Sequence, residues 1–332
     1  MTQTLRRTMT KLSLPGGGCI VLQCPSCQRS LGLFPLGSVA AHRYDCSHCY
    51  YTMYPENGIW QALIPERLAY FSRFIEEYQN IRTAEGRGSL QPEFYIHLPY
   101  KDISGRNIWQ WNIRACTFDH LRKKLLPRYL QDKKNPPKVL DLGAGNGWMS
   151  YRLAREGYSC VAVDLLVNDE DGLGAATHFE KHLDALFPRF QAEMSRLPFA
   201  DGQFEVVIFN ASFHYAEDYQ SAIREALRCV KRGGSVLIAD TPWYSRSESG
   251  EQMVAERQAA FRQRYGTASN SIPSLEYLTD QRLHDLECAL NIRWEKTSPS
   301  YGLKWAMRPL LAKLRGKREP SRFRVYSTRK TA

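Results

Sequence analysis

The order of apolar and polar positions changes at about residue 138. Beyond that point, short apolar runs alternate with segments in which apolar residues recur every three or four positions. Short apolar runs predict buried strands, and the helical period predicts amphipathic helices. We predict strands over 139–142, 159–164, 190–194, 204–210, 235–240, 292–297 and 322–327, and helices near 149–156, 219–229, 252–265, 274–290 and 305–314. Strands that alternate with helices form a mainly parallel sheet covered on both faces, so we expect an α/β fold.

The first 137 residues lack this alternation. A helix that begins at Pro65 and fades near Gly86 is predicted by apolar residues at positions 68, 71, 74, 75 and 78. The aromatic-rich passage 94–111 has no clear period, so we expect it to be irregular. A further helix is predicted from Thr117 to about Leu130, where a polar run ends it.

A glycine-rich turn follows the first strand of the α/β region. Gly143, Gly145 and Gly147 lie in the stretch VLDLGAGNGW, residues 139–148, between a predicted strand and a predicted helix. Such a turn lets a ligand approach the backbone beside a helix N-terminus. The dinucleotide fingerprint G-x-G-x-x-G would place a third glycine at position 148, where this chain has Trp148. A pyrophosphate therefore fits this turn poorly.

The spacing D-x-G-x-G-x-G, which begins at Asp141, resembles motif I of the class I methyltransferases that use S-adenosylmethionine. Three more segments resemble the family and occur in its order: VAVD at 161–164, EMSRLPF at 193–199 and RCVKRGGSVLIAD at 228–240. The likeness spans residues 138–245. It implies a Rossmann-like seven-stranded sheet with S-adenosylmethionine as the cofactor.

The resemblance also implies which residues hold that cofactor. The glycine turn wraps the methionine part, and Asp141 serves the ammonium group, directly or through water. Asp164 accepts both ribose hydroxyls, and Glu193 accepts the adenine amino group. Met194 and Leu197 flank the adenine face. Glu193 stands where the family more often has aspartate.

The chemistry of methyl transfer needs alignment, exclusion of water and an unprotonated nucleophile. Asn210 ends the fourth predicted strand at the lip of the cofactor pocket, and His214 and Tyr215 follow in the next loop. These three residues are our catalytic candidates. A neutral His214 can take a proton from an oxygen or nitrogen acceptor. Packing of His214 against the adenosine is an equally open alternative.

In this family the segment before motif I often folds over the cofactor as a lid. Arg114 in that segment can pair with the cofactor carboxylate or with an acidic substrate. Trp109 and Trp111 can line an acceptor pocket. Core packing is the alternative role for at least one of the two tryptophans.

Four of the nine cysteines form two C-x-x-C pairs separated by 18 residues: Cys24, Cys27, Cys46 and Cys49. Two such knuckles suit one tetrahedral zinc ion, and a closed shell of four thiolates makes that ion structural. His48 lies between two ligands, where it is either a substitute ligand or a surface residue. The ribbon and the domain order resemble the guanine-modifying ribosomal RNA methyltransferases.

These patterns divide the chain into four regions. Residues 1–18 are a flexible N-terminus, 19–64 a zinc ribbon, 65–137 a helical connecting or lid region, and 138–332 the methyltransferase domain with its basic C-terminal segment. No apolar run approaches the roughly 20 residues that span a bilayer. Because no secretory signal is found and the cysteine number is odd, we expect a cytoplasmic protein.

The net charge of +11 is concentrated near the C-terminus. Ten lysines and arginines stand between Lys304 and Lys330, against a single acidic residue, Glu319. Such a segment attracts phosphate on RNA, on lipid head groups at an anionic surface or on a small substrate, or it is simply solvated. The oligomeric state stays open.

The leading functional hypothesis is methyl transfer to a small-molecule or lipid-like acceptor. LPFADGQFE followed by NASFHY, residues 197–215, is most similar to enzymes of quinone and secondary-metabolite methylation. The first alternative is a ribosomal RNA base methyltransferase, which the ribbon and the charge support. The second is a non-catalytic binding module that keeps the cofactor fold.

Overall fold

The computed structural model describes residues 18–37, 42–130 and 135–331, so nearly all of the expected flexible N-terminus lies outside the described residues. Its strands are β1 Cys19–Gln23, β2 Ser30–Pro35, β3 Tyr44–Asp45, β4 Thr52–Met53, β5 Pro55–Glu56, β6 Ile59–Gln61, β7 Lys138–Leu142, β8 Ser159–Asp164, β9 Arg189–Gln191, β10 Phe204–Asn210, β11 Val230–Ala239, β12 Glu295–Thr297 and β13 Val325–Arg329. Its helices are α1 Pro65–Ala84, α2 Pro92–Ile96, α3 Ile108–His120, α4 Trp148–Arg155, α5 Tyr219–Cys229, α6 Ser247–Tyr265, α7 Asp280–Leu290, α8 Leu303–Ala306 and α9 Arg308–Leu314. No helix in these ranges is long and apolar enough to cross a bilayer.

Most of these strands form one sheet in the order β12-β13-β11-β10-β7-β8-β9-β6-β5. The strands from β11 to β9 run parallel, whereas β13 is antiparallel to both β11 and β12. The seven strands from β12 to β9 confirm the predicted α/β sheet. Two more strands, β6 and β5, extend it beyond the seven that we expected.

This extension comes from the cysteine-rich region. β6 pairs in parallel with β9, with Trp60 opposite Phe190. The β1–β2 hairpin joins the same core, because the ring centroids of Phe34 and Phe190 are 5.4 Å apart. Ala200 also donates a backbone hydrogen bond of 2.9 Å to Val21. The cysteine-rich region is therefore packed into the main domain, which its sequence pattern alone does not indicate.

Helix boundaries before residue 138 differ from the sequence expectation. The passage 94–111, expected to be irregular, contains α2 and the first turn of α3. α3 begins at Ile108 rather than at 117, directly after a loop in which Asn107 donates its backbone N–H to Asp102 at 2.6 Å. Its aromatic residues supply the reason, because Trp111 is buried against Trp148 at a centroid distance of 6.0 Å. Tertiary packing stabilises this helix where the sequence shows no apolar period.

Candidate functional site

A cavity of about 260 Å³ opens at the carboxyl ends of the parallel strands. Ligands of open α/β sheets bind in this crevice, where the strand order changes direction between β7 and β10. Its walls come from the turn after β7, the ends of β8 and β10, and helices α1 and α3. The candidate cofactor residues predicted from the sequence meet here, apart from Gly147 and Leu197: neither lines the cavity.

The glycine turn has a backbone that side chains do not tolerate. Gly143, Gly145 and Gly147 have φ angles of +72°, +55° and +78°. A Cβ atom on Gly143 would lie 2.2 Å from Cβ of Ser212. Gly147 precedes the first turn of α4, and a Cβ there would lie 2.9 Å from the Phe187 ring. The turn thus presents bare backbone to the cavity at the N-terminus of α4.

Asp164 ends β8 and lines the cavity. Its Oδ2 accepts the backbone N–H of Gly145 at 2.7 Å, and its Oδ1 accepts the backbone N–H of Leu166 at 2.8 Å. Burial raises the pKa of Asp164, and these two N–H groups oppose the shift. Because each carboxylate oxygen can accept two hydrogen bonds, one acceptor position remains on each oxygen.

Asp141 is buried at the end of β7 beside the glycine turn. Its Oδ2 accepts the hydroxyl of Ser150 at 2.8 Å. Burial raises the pKa of Asp141 to about 7, and the nearby charge of Asp164 adds to the shift. A cation in the cavity would reverse this effect by favouring the carboxylate.

Glu193 is held by an arginine that the sequence did not indicate. Arg67 of α1 donates from Nε and Nη2 to the two oxygens of Glu193 at 2.7–3.1 Å. The same guanidinium pairs with Glu217 at 3.0 Å. Ser195 donates to Oε2 of Glu193 at 3.3 Å, so the remaining acceptor position is on Oε1. Met194 lines the cavity beside Glu193, as expected.

Arg114 on α3 lines the cavity with no carboxylate bound to it among the described residues. Its guanidinium lies 5.1 Å from the centroid of the Trp111 ring. Burial and the neighbouring Arg82 lower the pKa of Arg114, and the nearby Asp240 carboxylate opposes the shift. Arg82 also lines the cavity, but Asp171 pairs with it. Arg114 is therefore the cation left for an anionic group of a ligand.

The catalytic candidates divide into two groups. Asn210 and Tyr215 line the cavity, and His214 does not. Burial lowers the pKa of His214 to about 3, with Arg257 and Arg114 adding to the shift. Its Nδ1 is buried without a hydrogen-bond partner in the structure. At this pKa the imidazole is neutral near pH 7, but it is a weak base.

Four aromatic residues and one isoleucine form an apolar part of the cavity lining, which we call the aromatic wall: Phe71, Phe74, Tyr78, Tyr215 and Ile272. The sequence assigned the first three only to a helix face and Tyr215 to the catalytic candidates. The Tyr78 and Tyr215 rings meet edge to face at 5.4 Å. The signal for this wall was the apolar stripe of the helix predicted from Pro65, which points at the cofactor site as well as at the core.

The two tryptophans of α3 have different positions. Trp111 lines the cavity, and its buried Nε1 has no hydrogen-bond partner among the described residues. Trp109 is exposed, and its ring contacts Trp305 at 5.6 Å. Only Trp111 can therefore contact a ligand in the cavity.

The four predicted metal ligands come together in the ribbon. The sulfurs of Cys24, Cys27, Cys46 and Cys49 all lie within 4.8 Å of one another. Both knuckles have the same backbone form. Gln28 donates its N–H to the Cys24 carbonyl at 2.8 Å, and Tyr50 donates to the Cys46 carbonyl at 3.0 Å. Both donors have positive φ angles, 63° and 62°. His48 is exposed and outside the cluster.

Comparison with known proteins gives a match over the centre of the sheet. Residues 140–238 match a family model described as a methyltransferase domain. The chain is 34% identical over 103 residues to the demethylmenaquinone methyltransferase of Mycobacterium marinum, which covers 31% of this chain and 41% of the relative. It is 34% identical over 122 residues to the same-named protein of Corynebacterium urealyticum, covering 37% and 49%. The chain thus spans less than half the length of these curated relatives.

A solved structure is similar over a longer stretch. The putative sarcosine dimethylglycine methyltransferase of Galdieria sulphuraria has a TM-score of 0.45 and 17% identity, covering 65% of this chain and 86% of that chain.

Proposed function

We propose that this chain, a class I methyltransferase, transfers the methyl group of S-adenosylmethionine to a small-molecule or lipid-like acceptor. The observation that carries the proposal is that the aromatic wall and the glycine turn line the same cavity. The polar part of this lining fits a charged nucleoside, and the aromatic wall fits an apolar acceptor.

The polar groups of the cavity match the cofactor one by one. Asp164 has one remaining acceptor position on each oxygen, as two ribose hydroxyls require. Oε1 of Glu193 has one position for the adenine amino group. Arg114 fits the carboxylate and Asp141 the ammonium group. The residues therefore fit this cofactor.

When bound, the cofactor would supply a methyl group on a positively charged sulfur: an acceptor atom would bond to the methyl carbon as the carbon–sulfur bond breaks in line, and the sulfur would leave as a neutral thioether. The aromatic wall excludes water from that line. Asn210 and Tyr215 line the cavity and orient the acceptor. His214, which does not line the cavity, remains neutral near pH 7.

The charges of the cavity favour an apolar acceptor over RNA. Asp171 neutralises Arg82, and Arg114 is assigned to the cofactor, so no row of cations remains to follow a phosphate backbone among the described lining residues. The relatives named demethylmenaquinone methyltransferase support an acceptor of the quinone type.

We also propose one structural zinc ion in the ribbon. A tetrahedral shell with Zn–S bonds of about 2.3 Å places sulfurs about 3.8 Å apart. The Cys24–Cys49 and Cys27–Cys46 sulfur pairs are each 3.5 Å apart. A shell of four thiolates leaves no position for a substrate, so the ion supports the fold.

Calorimetric titration with S-adenosylmethionine tests the cofactor assignment. We expect the wild type to bind and Asp164→Ala to lose detectable binding. Asp285→Ala, in which an exposed carboxylate of α7 is removed, is the matched control and should bind as the wild type does. No binding by the wild type would favour the non-catalytic module.

A screen with radiolabelled cofactor tests the acceptor class. We expect label in a lipid extract that contains quinones and none in RNA. Label in RNA alone would refute the acceptor assignment while leaving the cofactor site intact.

A further inference from the structure

A second apolar surface lies on the helical segment formed by α8 and α9. Met307 donates its backbone N–H to Leu303, and Leu311 donates to Met307, both at 3.0 Å, so the helical phase continues through the junction. At 100° per residue, five apolar residues fall on one face. They are exposed: Leu303 (76%), Met307 (42%), Leu310 (57%), Leu311 (38%) and Leu314 (74%).

The opposite face of the same segment fixes its orientation. The Trp305 ring stacks on Phe323 at a centroid distance of 5.4 Å. The Arg308 guanidinium lies 3.9 Å from the centroid of the Trp305 ring. Because these residues hold the segment against the domain, the leucines are held outward. The packing therefore presents an apolar stripe to the surroundings.

The basic residues of the C-terminal region fall into two groups. Six of the ten are bound within the protein through carboxylates, backbone carbonyls or a ring: Arg308, Arg318, Arg322, Arg324, Arg329 and Lys330. The other four are exposed and form no ion pair with a described residue: Lys304, Lys313, Arg315 and Lys317. By helical phase, Lys304 and Arg315 flank the apolar stripe on one side and Lys313 on the other. The uncompensated charge is therefore concentrated around the exposed leucines.

Two exposed residues of α3, Ile108 and Trp109, lie outside this stripe, because the Trp109 ring contacts Trp305 on the opposite face of the segment. We call the five apolar residues of α8 and α9 the docking face.

We propose that the docking face lies in the surface of an anionic lipid bilayer. An amphipathic helix with leucines on one face and basic residues along its edges binds in this way, with the apolar side chains below the head groups. The four unpaired cations then meet lipid phosphates. This proposal is independent of the proposed methyl transfer.

Two other occupants fit less well. RNA would bind the cations, but phosphate contacts give no free energy for burying five aliphatic side chains. A second copy in a two-fold dimer would bring the same four cations to both sides of one interface, where they repel.

Flotation with lipid vesicles tests the proposal. One vesicle is phosphatidylcholine alone, and the other contains phosphatidylcholine with phosphatidylglycerol. We expect the wild type to float with the anionic vesicles and to lose binding as salt is raised. Leu314→Gln should weaken the partition coefficient about tenfold. Lys313→Gln should weaken it about fivefold.

Leu90→Gln is the matched control, because Leu90 is also 74% exposed and lies outside the docking face. It should float as the wild type does. Absence of flotation, or flotation unchanged in Leu314→Gln, would overturn the proposal. So would a wild-type dimer that Leu314→Gln converts to monomer in sedimentation equilibrium, or RNA binding without vesicle binding.

Discussion

Arg67 and Glu193, 126 positions apart in the chain, form a bidentate ion pair at the edge of the cofactor cavity. Glu193 follows β9, and Arg67 lies in the first turn of α1. The pair therefore ties the helix that carries the aromatic wall to the carboxylate assigned to the adenine.

Removal of this contact should weaken both stability and cofactor binding. Arg67→Ala leaves the buried Glu193 without its partner, which we expect to lower the free energy of unfolding by about 1–3 kcal/mol. Cofactor affinity should fall about tenfold, since Glu193 loses its orientation. Urea unfolding and calorimetric titration measure the two effects.

The control for Arg67→Ala lies six residues further along the same helix. Arg73→Ala removes one contact from an exposed arginine to the largely buried Glu77 and should cost about 1 kcal/mol or less, with cofactor affinity unchanged. Equal affinities in Arg67→Ala and the wild type would show that Glu193 does not need this partner.

Asp141 should make the free energy of unfolding depend on pH. Its pKa is about 7 in the fold and near 4 in an unfolded chain. Between these values the folded state binds more protons, so its stability falls as pH rises from about 4 to about 7 and is level above. The slope from this group is at most about 1.4 kcal/mol per pH unit.

Urea unfolding of Asp141→Asn at pH 5, 6, 7 and 8 measures this effect. We expect the slope between pH 6 and 7 to flatten. Asp240→Asn is the comparison, since burial raises the pKa of Asp240 only to about 6 and its removal should flatten the slope mainly below that pH. A slope that persists in Asp141→Asn would place the proton on another group.

A methyl group on the first glycine of the turn should destabilise the protein. Gly143→Ala combines a φ of +72° with a 2.2 Å approach to Ser212. Gly157→Ala is the matched control, because its φ is +94° and nothing lies within 4 Å of the added Cβ. We expect Gly143→Ala to lose about 1–3 kcal/mol more than Gly157→Ala in thermal unfolding. Equal losses of stability in the two variants would mean that the positive φ alone, and not the contact with Ser212, causes the destabilisation.

Loss of the metal should affect more than the ribbon. Elemental analysis should give about one zinc ion per chain, and a chelator should lower the melting temperature of the whole domain, since Leu22 and Phe34 of the ribbon share a core with the sheet. Cys24→Ser should have the same effect. Cys288→Ser, at an exposed cysteine outside the cluster, should not. A chelated protein with an unchanged melting curve would contradict a structural metal.

Local sequence patterns correctly predicted the secondary-structure elements that have a strong hydrophobic period and the metal ligands that have a fixed spacing. The strands at 159–164 and 204–210 and the helix at 219–229 match the structure at both ends, because polar residues or turns bound their apolar runs. The metal knuckles could be recognised because their geometry is local. Arg67 could not be assigned to Glu193, because that contact depends on how a helix packs against a distant strand.

Glu205 illustrates the same limit. Its side chain accepts the backbone N–H of Lys138 at 2.6 Å and pairs with Lys231. It therefore ties β10 to its neighbours β7 and β11 at the end of the sheet opposite the cavity. Its partners lie 67 and 26 positions away in the chain, so no local pattern indicated these contacts.

The pairing of β6 with β9 has a consequence for solubility. Without it, β9 would be the edge strand of the sheet, and its unpaired backbone N–H and C=O groups could pair with a strand of another chain. Instead the outermost strand at this end is β5, two residues long, formed by Pro55 and Glu56. A proline cannot donate to another strand, and a glutamate resists burial in one. The ribbon therefore also disfavours edge-to-edge strand pairing between copies of the chain, which is a route to aggregation.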